Sequence, residues 1–120
     1  MFNGALILES LRVGTNLPNL NLTVRQIYRF RPDDAAADQP GTWSVIELEV
    51  QDKDAADVAQ AFSEVLAGGW YVDFRSETEV FVVFADRVFR YGRGDDAGRA
   101  EARAHGRLAG IPDSQLDWPV

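Results

Sequence analysis

Cysteine is absent from the 120-residue chain. Disulfides and thiol catalysis are thereby excluded, and the absence is compatible with a reducing cytoplasm. Histidine occurs once, as His105. One histidine without a cysteine gives zinc no ligand set of the usual kind. Lysine is almost missing as well, Lys53 being the only one, while Arg, Ala, Gly, Asp and Val abound. Those are residues of GC-rich codons and point to a high-GC bacterial genome. No apolar run approaches the roughly 20 residues of a membrane span. The start of the chain, Met1 to Ser10, has neither the basic region nor the long apolar stretch of a secretory signal. The expectation is a cytoplasmic protein that makes no membrane contact.

Positive charge is the scarce sign. The formal net charge is −7 and the pI about 4.6. Phosphate backbones attract the opposite sign, so nucleic acid is not an expected partner. An acidic surface suits solubility or a basic protein partner. Catalytic signatures are missing too. There is no Gly-x-Ser-x-Gly elbow, no EF-hand spacing, and Tyr91 to Asp95 is glycine-rich without Walker or Rossmann spacing. Asp95 and Asp96 are two adjacent acids before a helix, better read as a cap than as a cation site. No metal and no cofactor is expected.

What the chain does have is aromatic and β-branched residues, concentrated between Gly69 and Tyr91. Three short runs, Gly69–Phe74, Glu79–Phe84 and Arg87–Tyr91, read as an antiparallel meander. A three-residue loop at Ser76–Thr78 and a two-residue turn at Asp86–Arg87 put Trp70, Val72, Phe74, Val80, Val82, Phe84, Phe89 and Tyr91 on one core face. The opposite face then carries Tyr71, Asp73, Arg75, Phe81, Val83, Val88 and Arg90. That mixed face is either a second layer of core or a contact patch rimmed by charge.

Upstream, strands are predicted over Leu6–Val13, Leu20–Phe30 and Thr42–Val50. The alternation of the second slips near Gln26 and Ile27, where a bulge restores the phase. In the third, Ile46, Leu48 and Val50 take one side and Trp43, Val45, Glu47 and Glu49 the other. Asp52 or Asp54 caps a helix whose inward stripe is Ala55, Val58, Ala59, Phe62, Val65 and Leu66. Asp95 or Asp96 caps a second helix near Ala97–Ala109, with Ala97, Ala100, Ala104 and Leu108 inward. Gly110 ends it, and Leu116 and Trp118 tuck against the core. The expected fold is one α+β domain over residues 1–120, in the order β-β-β-α-β-β-β-α. Its antiparallel sheet carries both helices on one face, a two-layer sandwich.

The stretch Gly68–Asp95, the helix end at His105–Pro112 and the closing Gln115–Trp118 together resemble a family of short bacterial proteins of actinobacterial type. The resemblance spans most of the chain and implies origin, but no activity.

The binding residues expected from the pattern are Tyr71, Asp73, Arg75, Phe81, Val83 and Arg90. Arginine can grip a carboxylate or phosphate bidentately, and the aromatics add apolar area. The same charges also serve as ordinary cross-strand pairs. Asp73, Glu47 and Glu49 can share a sheet face, a weak echo of paired glycosidase carboxylates. The functional expectation is a small, acidic, non-catalytic binding protein of the adaptor, inhibitor or immunity type. Its partner is another protein or a second copy, a homodimer through Phe81, Val83 and Val88. The competing expectation is a small-molecule binder or enzyme with its site at Tyr71, Asp73, Arg75 and Arg90.

Overall fold

The computed structural model describes residues 1–120. Six strands form one sheet: β1 Phe2–Ile7, β2 Thr23–Phe30, β3 Trp43–Val50, β4 Tyr71–Arg75, β5 Glu79–Phe84 and β6 Arg87–Gly92. The helices are α1 Ala55–Ser63 and α2 Asp96–Leu108. The spatial order is β2-β3-β1-β4-β5-β6, with every pair antiparallel. The α+β class and the order of elements along the chain are as expected. β1 is the seam of the sheet, joining the β2–β3 hairpin to the β4–β5–β6 meander.

Local chemistry explains where the elements stop. The first strand is Phe2–Ile7 and not Leu6–Val13: it begins four residues earlier than expected and ends at Ile7, where Leu8–Ser10 turns and the Ser10 hydroxyl donates to the Ile7 carbonyl at 2.5 Å. The bulge in β2 falls between Val24 and Gln26. The Asp95 carboxylate caps α2, accepting from Gly98 N at 3.0 Å. Neither Asp52 nor Asp54 caps α1 with its side chain; a 3-10 turn at Asp52–Asp54 leads into that helix instead. Gly4 lets β1 and β4 approach closely, since a Cβ there would lie 2.3 Å from the Asp73 carbonyl oxygen.

The two helices lie on opposite faces of the sheet, which corrects the two-layer expectation. α1 buries Val58, Ala59 and Phe62 against Phe2, Leu6, Leu48, Val72, Phe74, Phe81 and Val83. α2 and the C-terminal tail bury Ala102, Ile111, Leu116 and Trp118 against Val80, Val82, Phe84 and Tyr91. The inward line of α2 is Gly98, Ala102 and Gly106, so the helix sits tightly on Tyr91 and Phe84. Ala97, Ala100, Ala104 and Leu108 point to solvent, Leu108 at 88% exposure.

The cause is one residue of register. Phe74 pairs with Phe81, not with Val80. Ser76 N donates to Glu79 O at 2.9 Å, and the Ser76 hydroxyl accepts from Thr78 N at 3.2 Å and Glu79 N at 3.1 Å. The loop is therefore a two-residue turn at Glu77–Thr78. A one-residue change turns a whole strand over relative to its neighbour. Val72 and Phe74 accordingly share the α1 face with Phe81 and Val83. Tyr71, Asp73 and Arg75 share the α2 face with Val80, Val82 and Phe84. The β5–β6 pairing also differs, Phe84 opposing Arg87 and Val82 opposing Phe89. That shift is by two residues and leaves the faces of those strands unchanged.

Candidate functional site

On the α1 side, the mixed face expected to meet a partner is closed. Phe81 and Val83 are 2% and 0% exposed, beneath α1. They are core, and a homodimer through them has no surface to use. Arg90 is on that side too. Its guanidinium lies 5.0 Å from the Phe81 ring centroid and donates to both Glu79 carboxylate oxygens, at 2.7 and 3.0 Å. That pairing holds the Glu79 carboxyl below the ordinary range. The six expected binding residues are thus divided: Phe81, Val83 and Arg90 on one face, Tyr71, Asp73 and Arg75 on the other.

On the α2 side, the helix and tail cover β5 and β6 and leave β2, β3 and β1 without a helix. The pairings lay the side chains out in rows. Glu49, Asn3 and Arg75 make one row; Gln26, Glu47, Ala5 and Asp73 the next; Tyr28, Val45 and Ile7 the third; Phe30 and Trp43 the last. The rows grade from charged to aromatic along the strands. Glu47, Glu49 and Asp73 do share a face, with Ala5 between Glu47 and Asp73.

Two adjoining hollows follow this gradient and meet at Ala5 and Asp73. The charged one is open, has a volume of about 550 Å³, and is lined by Asn3, Arg25, Glu47, Glu49, Asp73 and Arg75 among others. Arg25 pairs with Glu49 there. The aromatic one has a volume of about 270 Å³ and is lined by Tyr28, Phe30, Trp43, Trp70 and Tyr71, with Asp34, Asp73 and Asp117 at its polar edge. Phe30 packs edge-on to Trp43 at 5.8 Å, and Trp43 to Trp70 at 5.2 Å.

Loop and tail frame the aromatic hollow. Gln39 and Gln115 exchange amide hydrogen bonds at 3.2 and 2.7 Å, and Gln115 also donates to Asp34 O at 2.9 Å. The Tyr71 hydroxyl donates to the Gln115 carbonyl. Burial, with the nearby Asp73 and Asp117 carboxylates, pushes the Tyr71 hydroxyl well above its ordinary range, so it stays a neutral donor. Trp43 Nε1 donates to Pro40 O at 2.9 Å. The residues 31–42 and the closing tail are therefore parts of one rim.

Asp73 stands where the hollows join. Burial lifts its carboxyl to about 6, Arg75 pulling it down and Asp117 pushing it further up. Arg75 Nη1 is 3.6 Å from Asp73 Oδ2, beyond the 2.7–2.9 Å of a charge-assisted hydrogen bond. His105 lies apart, its ring 4.8 Å from Phe84 and 5.5 Å from Phe89. Burial and then Arg87 lower its pKa, so it is a neutral packing residue at pH 7.

Sequence reasoning found Tyr71, Asp73 and Arg75 but missed Tyr28, Phe30, Asp34, Trp43 and Asp117. The alternation Trp43-x-Val45-x-Glu47-x-Glu49 was the available signal, since it leaves an aromatic and two carboxylates on a face opposite the helix-covered one. No family model, no curated protein and no solved structure matches the chain.

Proposed function

We propose that the protein is a non-catalytic binding protein of the adaptor, inhibitor or immunity type, and that it takes a protein partner with a basic surface on the open half of its sheet. The observation that carries this reading is the graded face over β2, β3 and β1. It joins exposed aromatics (Tyr28 at 38%, Phe30 at 40%) to a field of carboxylates. Aromatic anchors beside a polar rim are what interface hot spots are made of. Of the carboxylates here, Asp34, Glu47 and Asp117 have no ion pair within the molecule. That favours a cationic partner over an anionic one.

The test is co-purification from native-host lysate, with the wild type and a Tyr28→Ala, Phe30→Ala double variant run in parallel. The retained partner is identified, produced alone and titrated. The expected result is a stoichiometric complex with unmodified partner, weakened at least tenfold by the double variant. Undiminished affinity in that variant refutes this face as the interface, and chemical conversion of the partner refutes the non-catalytic part.

A second reading is supported by the aromatic hollow beside Tyr71 and Asp73, namely a small-molecule site. Pockets of that kind usually run from about 300 to 1,000 Å³ and bury most of the ligand. A hollow of about 270 Å³ opening sideways into a wider one fits a side chain of a larger partner better. Arg90 has no part in either reading, being across the sheet.

A further inference from the structure

We infer that the hollow between Trp43, Trp70 and Asp73 is a binding site for one guanidinium group, presented as an arginine side chain of the protein partner. The inference rests on the docking reading for the source of the arginine, and on the chemistry of the hollow for the rest. The lining residues include five aromatics and three acids, Asp34, Asp73 and Asp117, and no lysine or arginine of this chain. A cation over an aromatic face is attracted by the ring quadrupole, and the more so where water is displaced. A carboxylate beside the ring then supplies the planar, two-pronged acceptor that suits a guanidinium.

The molecule shows the same combination once with its own Arg90, and the aromatic half of it twice more. Arg90 stacks on Phe81 while gripping Glu79, Arg87 lies 4.5 Å from the Phe89 ring centroid and Arg99 5.1 Å from that of Trp118. The hollow repeats the aromatic and carboxylate elements of the Arg90 site. Its size points the same way, since about 270 Å³ admits one side chain and little more. Guanidinium is favoured over ammonium because it is planar, stacks on aromatic faces and sheds water more easily. Asp73 has acceptor capacity to offer, its one ionic contact being the 3.6 Å approach of Arg75.

Three tryptophans make the test direct. Trp118 Nε1 is buried and donates to the Tyr91 hydroxyl at 2.7 Å, so its indole signal is an internal reference. Nitrogen-15-labelled protein is titrated with Nα-acetyl-arginine amide, Nα-acetyl-citrulline amide and free arginine. Saturable movement of the Trp43 and Trp70 indole signals is expected with the capped arginine, at a dissociation constant on the order of a millimolar for one isolated side chain. The neutral citrulline probe should bind at least tenfold more weakly, and Asp73→Asn should weaken the arginine probe by a similar factor. Equal response to citrulline, or no saturable movement beyond that of Trp118, overturns the guanidinium site. That outcome leaves the docking face to be judged by the double variant alone. Tighter binding of free arginine than of the capped form overturns the side-chain source.

Discussion

Asp73 shows how one residue links the fold to the site. It lies opposite Ala5 in the sheet, and Ala5 separates it from Glu47 on β3. Arg75 on its own strand, Arg99 on α2 and Asp117 on the tail also act on it. Burial wins, and its carboxyl titrates near 6 in the folded protein, against about 3.9 in an unfolded chain. The native state therefore holds more protons than the unfolded state between those values, and stability falls as pH rises through the interval. The favourable contribution is complete below about pH 4 and gone above about pH 6, a swing of roughly 3 kcal/mol at most. Asparagine does not titrate. Asp73→Asn should therefore stabilise the protein by about 1–3 kcal/mol at pH 7, with the advantage shrinking toward zero at pH 4. Urea melts of both proteins at the two pH values check this. A difference that does not change with pH would show that Asp73 titrates as in the unfolded chain. The same substitution is expected to weaken arginine binding, so stability and binding pull in opposite directions at this position, as they often do at functional sites.

At the scale of elements, β5 decided what could be read from the chain and what could not. The stripe of α1, the Asp95 cap, the β2 bulge and the third strand were legible because each depends on neighbours a few residues away. The β4–β5 register was not, because Ser76-Glu77-Thr78 contains no glycine or asparagine to mark a two-residue turn. A clue did exist. Val80 to Phe84 is an unbroken apolar run, and all five residues are buried. Such runs belong to strands covered on both faces, whereas a strand with one wet face alternates. Taken at face value, the run places a helix on each side and removes Phe81 and Val83 from any exposed patch. It also left the site half hidden, because the insertion of β1 between β3 and β4 is a long-range pairing with no local signature. One consequence can be tested. Phe81→Glu should not yield a well-folded monomer but a strongly destabilised chain, since its carboxylate would be buried among Phe2, Phe74 and α1, beside an Arg90 already bonded to Glu79. The expected cost is about 4 kcal/mol or more, a large part of the 5–15 kcal/mol typical of a domain. Circular dichroism and a denaturant melt would settle it, and a variant with native spectrum and midpoint would contradict the placement of α1 over β5.

Over the whole molecule, charge and shape act at different ranges. The net charge of −7 is felt across solvent before contact, while Tyr28, Phe30 and Trp43 act only once a partner has arrived. Unpaired Asp34 and Glu47 sit where the two ranges meet, on the face that no helix covers. Attraction between opposite charges raises association rates by factors of 10 to about 1,000 and is screened by salt, whose Debye length is about 10 Å at 0.1 M. Rim charges should therefore set how fast the basic partner binds, and aromatic anchors how long it stays. Raising salt from about 0.02 to 0.5 M is expected to slow association of the co-purified partner about tenfold and to leave dissociation nearly unchanged. The Asp34→Asn, Glu47→Gln variant should mimic the salt effect at low ionic strength. Tyr28→Ala, Phe30→Ala should instead speed dissociation and keep the wild-type association rate. Stopped-flow or surface-plasmon kinetics separate the two rates. If association is indifferent to salt, the acidity of this face has no steering role, and the complementary charge assigned to the partner is wrong.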